Sequence, residues 1–341
     1  MKAHILFTFR DGPWGGCNQF LTGLRDVWRE VGAWADSPDE ADVVLFDSCN
    51  NAHEVIAAKR KLPRTPFVHR LDGPISAYRG RDLPLDRLIH SLNAALADGT
   101  VFQSEYSRMG NLSLGMTPPP RQRVIGNAPR GDCFVPRQEE RSGGRVRVLA
   151  ASFSPNPNKG FDILAHLDAH LDFDRYELTF VGNSPIRFTN IVHLAPQDSA
   201  TLARTMHSHD VFLAASRFDP CSNALAEALA CGLPAVARNS GGHPDILGQG
   251  GEIFDGPEDV LAALDAVAVD IPRYRRAIRV RRMEQTAVEY LDFMREISDT
   301  ARPPKMLTAA QAFVLAARLK LHAATTAAAW LVRTRLLGRT A

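Results

Sequence analysis

The sequence predicts an α/β protein of two similar lobes, each a parallel sheet flanked by helices. Three observations carry that expectation. Short apolar runs alternate with helical patterns along most of the chain. The runs are apolar over their whole length, as strands buried on both faces are, rather than on alternate residues. The rhythm also breaks once, at 136–145 (PRQEERSGGR), where a polar, glycine-bearing stretch reads as a linker, and then restarts. Two βα series joined in this way mean two Rossmann-like domains facing a cleft.

The first half offers strand-like runs at 3–9, 42–47, 66–70, 100–104 and 123–126, with helical stretches at about 17–34, 51–61, 84–97 and 105–110 between them. The second half offers runs at 145–151, 176–182, 191–194, 210–214, 234–237 and 252–254, alternating with helical patterns at 159–171, 198–207, 221–231, 257–268 and 273–297. There is no short-period repeat. The expected divisions are a first domain over 1–140, a second over 141–282 and a basic helical tail over 300–341.

Composition agrees. The 341 residues suffice for two domains with real cores, and 45% hydrophobic with 23% charged residues is ordinary for a folded chain. Disorder and fibre-forming repeats are thereby excluded. A net charge of +2 does not support a polycation built for nucleic acid. The charge is uneven, however. Residues 300–341 carry Arg302, Lys305, Arg318, Lys320, Arg333, Arg335 and Arg339 and no acid, so the tail is +7 and the rest of the chain −5. The tail reads as a basic, alanine- and leucine-rich helix, and three partners stay open for it: an anionic membrane surface, its own domains or a second subunit. Arg273 to Arg282 form a second basic run, read as a solvated helix face. Five scattered cysteines without a C-x-x-C pair argue against a disulfide framework or structural zinc, and for buried thiols in a reducing compartment. No secretory signal or bilayer-spanning run is evident, which points to a cytoplasmic location.

In open α/β sheets, ligands bind beyond the C-terminal ends of strands, against helix N-termini. Four such junctions stand out. Asp11-Gly12-Pro13-Trp14-Gly15-Gly16-Cys17-Asn18 is either a tight βα turn or a glycine loop that lets backbone amides approach a ligand. It is neither a dinucleotide fingerprint nor a Walker loop. Ser152 to Gly160 places Lys159 at an expected helix start, where a cation gains nothing from the dipole; it is either a solvent-exposed lysine or one that shares the site with a phosphate. The segment from Ser216 to Pro234 sets Asp219 in a loop, Ser222, Asn223 and Ala224 at a helix start, and Glu227 two turns in among apolar residues. Burying Glu227 there would be costly without a polar partner. Gly241-Gly242 opens the next helix and reads as a turn.

The order Gly15-Gly16, Lys159-Gly160, Asp219-x7-Glu227, Ala-Cys-Gly-Leu-Pro at 230–234 and Gly241-Gly242 resembles the retaining family 4 glycosyltransferases of GT-B fold, over about residues 1–297. The resemblance implies a nucleotide diphosphate sugar as donor, no cofactor and no metal. A carbohydrate or lipid-linked acceptor is implied, with a place in envelope or polysaccharide synthesis and peripheral attachment to the inner face of the membrane. Lys159 would neutralise the diphosphate, Glu227 would bind the ribose hydroxyls, and Asp219 would hold the donor sugar. Asn223, Ala224 and Leu225 would form the donor-binding turn. Gly15 and Gly16 would approach the diphosphate from the opposite domain, and His69 would either lie near the transferred sugar or be a hydrogen-bonded structural histidine. Asp72 would either contact the acceptor or cap its turn, and residues 283–299 would form a helix crossing back to the first domain. The family's first acid is usually Glu, whereas here it is Asp219, one methylene shorter. The family's Arg before the lysine is absent, so Ser152, Ser154 or Asn156 would bind the phosphate, or Arg70 or Arg187 would supply the charge. No D-x-D triplet occurs at a strand end, consistent with metal independence. The rival readings are a non-catalytic sugar-nucleotide-binding scaffold and a sugar epimerase or phosphorylase on the same fold.

Overall fold

The computed structural model describes residues 1–12, 14–137, 143–300 and 303–337, the side chains of 328–337 excepted. Pro13, the middle of the expected linker and the tail residues Arg302 and Arg339 lie outside the described residues, as do the side chains of Arg333 and Arg335.

The first lobe holds five parallel strands in chain order: β1 (Ala3–Ile5), β2 (Val43–Asp47), β3 (Phe67–Leu71), β4 (Gly99–Phe102) and β5 (Gln122–Val124). Its helices are α1 (Gly16–Glu30), α2 (Ala52–Lys61), α3 (Ile75–Arg79), α4 (Leu83–Leu96) and α5 (Glu105–Ser113). The expected strand at 3–9 is shorter. Phe7 and Phe9 leave the sheet, meet edge to face at 5.4 Å, and Phe9 packs under Arg25.

Residues 33–35 give this lobe its topology. The Ala3 amide donates to the Ala33 carbonyl (2.7 Å), and the Ala35 amide to the Ala3 carbonyl (2.9 Å), on the edge of β1 that β2 does not use. The chain therefore steps to one side of β1 and returns on the other. β1 is a switch point, where the crossovers diverge and open a crevice at the strand's C-terminal end. The loop leaving that end carries Gly15 and Gly16.

The second lobe holds six parallel strands: β6 (Val146–Ser152), β7 (Tyr176–Gly182), β8 (Val192–Leu194), β9 (Val211–Ala214), β10 (Ala235–Arg238) and β11 (Gly251–Phe254), in the order β11-β10-β9-β6-β7-β8. Its helices are α6 (Phe161–His170), α7 (Ser199–His207), α8 (Asn223–Ala230), α9 (His243–Leu247), α10 (Pro257–Val269) and α11 (Ile271–Ala277). The switch point is β6, paired with β7 on one side and β9 on the other. Loops from β6 and β9 bring Lys159 and Asp219 together.

The single helix expected at 273–297 is two. α11 ends at Ala277, and α12 (Met283–Ser298) begins after an extended segment whose Ile278 and Val280 pack on the second lobe's core. α12 then crosses to the first lobe and buries Tyr290, Phe293, Met294 and Ile297 against α1 and the sheet. Trp28 Nε1 donates to the Ala287 carbonyl at 3.3 Å. Gly99 makes room for this docking, because a Cβ there would collide with Ile297.

The tail packs on its own first lobe. α13 (Ala309–Leu337) lies on α2 and α4, burying Ala312 and Leu315, and Leu307 is buried just before it. Lys305 Nζ donates to the Ala97 carbonyl (2.6 Å), Arg318 to Ser91 Oγ (3.0 Å), and His322 stands 3.6 Å from Asp82. The helix thus runs antiparallel to α4. No described helix is long and apolar enough to cross a membrane.

Phe293 fixes α12 on the first lobe and is 1% exposed. Phe293→Ala is expected to destabilise the chain by about 3–5 kcal/mol, read as a lowered denaturant midpoint, because the transfer and cavity costs add.

Candidate functional site

A cavity of about 450 Å³ lies where the C-terminal ends of the two sheets meet. Gly15, Gly16, Arg70, Asp72, Gln103 and Asn127 line it from the first lobe, and Ser152, Lys159, Asp219, Asn223, Ala224 and Glu227 from the second. The lobes touch around it. Asn127 Nδ2 donates to Asn223 Oδ1 (2.9 Å), its backbone amide to Cys221 Sγ (3.3 Å), and Ser199 Oγ to Gln19 Oε1 (3.2 Å).

Lys159 does not begin a long helix. It ends a 3-10 turn (Pro157–Lys159), and Gly160, at φ 86°, redirects the chain into α6. A Cβ on Gly160 would strike the backbone of Ala215, so this loop is pressed against the one leaving β9. Lys159 Nζ donates to Asp219 Oδ2 at 2.9 Å and lies 5.1 Å from the Tyr78 ring centre. Burial disfavours the ammonium, but Asp219 outweighs it and the Lys159 pKa is raised. Burial likewise opposes the Asp219 charge, and Lys159, with His243, holds its pKa below the usual carboxylate value.

Gly241 and Gly242 support that loop. A Cβ at Gly241 would collide with the Asp219 backbone, and the Gly242 amide donates to the Asp219 carbonyl (2.9 Å). Phe218 is held at φ 58° by a bond from its amide to Ser240 Oγ (2.9 Å).

Ser222 caps α8, accepting from the Leu225 amide at 3.4 Å. The amides of Asn223 and Ala224 make no bond among the described residues, as expected of a helix's first turn. Across the cavity α1 begins at Gly16, against Asn223. A Cβ on Gly16 would overlap the Asn223 amide group, and Gly15 has φ 83°. Two helix N-termini therefore meet at one cavity.

Glu227 is 9% exposed, and its carboxyl makes no hydrogen bond among the described residues. Burial alone raises its pKa to about 7. A buried carboxyl without a partner, open to a cavity, is suited to ligand groups that donate hydrogen bonds.

The first-lobe wall is a polar network. Arg70 is ion-paired with Asp47, both fully buried, and donates to Asn127 Oδ1 (2.8 Å). Asp47 also accepts from Cys17 Sγ (3.1 Å) and Asn50 Nδ2 (2.8 Å). Asp72 accepts from Gln103 Nε2 and lies 3.6 Å from Arg70. Burial and the charge of Asp47 push the Asp72 pKa to about 7, with Arg70 opposing. Its side chain remains 31% exposed, all the same, toward the cavity it lines.

Three sequence expectations are corrected. His69 is fully buried and absent from the cavity wall. It stacks on Phe46 at 4.1 Å, bonds the Ser48 carbonyl through Nε2 (2.8 Å), and burial lowers its pKa to about 4. It adjoins Arg70 on β3, and neighbouring strand residues point to opposite faces. Arg187 is exposed on the loop after β7 and lies outside the cavity lining. The Leu225 side chain is buried and its amide taken by Ser222, leaving nothing for a ligand. Ser152 lines the cavity, with its hydroxyl donating to the Ser154 carbonyl (2.9 Å). The sequence reading assigned no role to Asp47, Tyr78, Gln103 or Asn127. Asp47 alone carried a signal, as an acid ending an apolar run.

Among the described residues no cluster of three His, Cys, Asp or Glu side chains is placed to hold a metal ion.

Two facing parallel α/β sheets with a last helix returned to the first lobe define the GT-B fold. Residues 145–270 match the family model described as glycosyl transferases group 1. Among solved structures the chain is similar to sucrose-phosphate synthase from Thermosynechococcus elongatus, at 14% identity and TM-score 0.67 over 87% of this chain and 99% of that one. It is similar to Anabaena HepE in complex with UDP, at 15% identity and TM-score 0.61 over 88% and 99%. It is also similar to AviGT4, a glycosyltransferase involved in avilamycin A biosynthesis, at 14% identity and TM-score 0.59 over 88% and 98%. No curated protein matches the chain. At these identities the structural likeness is one of fold.

The Glu227 carboxyl has a sign that can be tested. Its folded pKa of about 7 stands above the ordinary 4.5, so between those values the folded chain holds a proton that the unfolded chain has released. The resulting stability is present below 4.5 and lost as pH rises through 7. Glu227→Gln, which stays neutral, is expected to lose less stability than the parent between about pH 5 and 8. The difference is about 1–3 kcal/mol by denaturant melts.

Proposed function

We propose that the chain is a glycosyltransferase moving a sugar from a nucleotide diphosphate sugar to an acceptor hydroxyl, with retention at the anomeric carbon. The observation that carries this reading is the convergence of Lys159, two helix N-termini and the unpartnered Glu227 on one interlobe cavity. Helix N-termini favour anions, and a lysine beside them supplies full charge. The group 1 match over the second lobe and the UDP held by HepE support a nucleotide-sugar donor. The motif resemblance supports family 4, retention and independence of a metal.

On this reading Glu227 accepts hydrogen bonds from the ribose hydroxyls, and the amides of Asn223 and Ala224 face the diphosphate. Lys159 turns from Asp219 to the diphosphate as the donor enters. Asp219 is then free to accept from hydroxyls of the sugar. As the bond from C1 to the phosphate oxygen breaks, its electron pair stays on the phosphate, where Lys159 and the amides stabilise it. The acceptor oxygen bonds to C1 on the face the phosphate leaves, and its proton passes to the departing phosphate. On this reading Asp72, on the opposite wall, accepts a hydrogen bond from that hydroxyl. A carbohydrate or a lipid-linked sugar fits the acceptor role.

One observation favours the rival, a binding subunit without turnover. Both cations lining the cavity are already ion-paired, Lys159 with Asp219 and Arg70 with Asp47.

Thermal shift and donor turnover separate the two. UDP is expected to raise the melting temperature, and UDP-glucose to release UDP when an acceptor is supplied. Lys159→Ala is expected to abolish the UDP shift and lower turnover by about 10²-fold or more. Asp219→Asn should keep the UDP shift yet slow transfer. UDP binding without turnover of any sugar nucleotide establishes the rival, and an unchanged UDP shift in Lys159→Ala refutes the site.

A further inference from the structure

α13 has two apolar faces and uses one. Leu307, Ala312, Leu315 and Leu319 pack on α2 and α4. On the other side, Ala310, Phe313, Val314, Ala317, Leu321 and Ala324 recur at three- and four-residue spacing, and all are exposed. Phe313 is 74% exposed, Leu321 66% and Val314 52%. This stripe contains no polar side chain. Arg318 and Lys320, both exposed, flank it on its two sides.

Its position relates to the cavity. His322 meets Asp82, the residue before α4, and α3, just upstream, carries the cavity residue Tyr78. The helix therefore passes the start of α4, where Asp82 is four residues along the chain from Tyr78. Residues 323–327 are exposed all round. The helix continues to Leu337, about 22 Å past His322 at ~1.5 Å per residue. That stretch adds Trp330, Leu331, Val332, Arg333 and Arg335 to a segment, 300–341, with seven basic residues and no acid.

We propose that the outer face of α13 is a docking surface for an anionic lipid bilayer, lying in the interface and setting the first-lobe rim of the cavity against the membrane. An apolar stripe bordered by cations, on a segment without acids, complements apolar chains beneath anionic headgroups. Charge disfavours a second copy of this face as occupant, since two such helices would bring like-charged borders together. The proposal does not depend on the donor site. If the glycosyl-transfer reading holds as well, the acceptor is one carried on a lipid.

The test is co-sedimentation of the full chain with vesicles of phosphatidylcholine, with and without phosphatidylglycerol, at low and high salt. Binding is expected only to the vesicles with phosphatidylglycerol, weakened by salt. The double variant Phe313→Ser, Leu321→Ser changes two exposed residues, so its melting temperature and UDP shift should match the parent's while vesicle binding falls by about tenfold or more. Absence of binding, equal binding by the double variant, or a parent dimer that the double variant converts to monomer in sedimentation velocity without vesicles would each overturn the proposal. None of these outcomes bears on the UDP shift, so this proposal and the donor-site reading fail separately.

Discussion

Two helices, α1 and α8, bring their N-termini together at the cavity, and their positive ends repel unless something negative lies between them. That constraint organises the rest of the site. Close approach requires glycine at position 16, because any side chain there would meet Asn223. It requires an unclaimed first turn on α8, which Ser222 secures by capping only the third amide. Both helices reach this point because α1 follows the switch strand β1, and α8 follows β9, which pairs with the switch strand β6. The architecture thus delivers two partial positive charges to one place, and Lys159 adds a full one.

The wall opposite is held by a charge pair that water does not reach. Arg70 and Asp47 are register partners on adjacent strands, and the Phe20 ring covers the guanidinium at 4.7 Å. Taking both ions out of water is expensive, and the pair persists because nearly every donor and acceptor around it is matched. Asn50, Cys17, Asn127 and Gln103 do the matching. Asn127 carries the network across the interlobe boundary, since it bonds Arg70, Gln103, Asn223 and Cys221 together. The position of the first lobe is thereby tied to the residue that opens α8.

The alternation of buried strands and helices was legible because apolarity along whole runs is a strong signal of parallel sheets. Lys159, Asp219, Glu227, Gly15 and Gly16 were legible as cavity residues because strand ends and helix starts can be found from pattern alone. His69 shows where this stops. It and Arg70 are consecutive on β3, and which of them faces the cavity depends on a register that composition does not reveal. Tyr78, Gln103 and Asp47 were illegible for a different reason. Each is a single polar residue whose role comes from a partner 23 to 81 positions away, such as Lys159 beyond Tyr78 or Arg70 beyond Asp47. The break at 278–282 was hidden because an arginine-rich stretch has good helix propensity, and packing of Ile278 and Val280 overrides it.

The Lys159–Asp219 pair makes the cavity self-compensating. With nothing bound, the ammonium already has a resident counter-ion from its own lobe. On the proposed donor reading, an incoming diphosphate exchanges places with a carboxylate instead of settling onto bare charge, and the displaced carboxylate is left facing whatever hydroxyls arrive attached to that diphosphate. On that reading a single swap of counter-ions couples recognition of the phosphate to recognition of the sugar, and a phosphate without its sugar leaves Asp219 with the Cys221 amide, at 3.3 Å, in place of the ammonium.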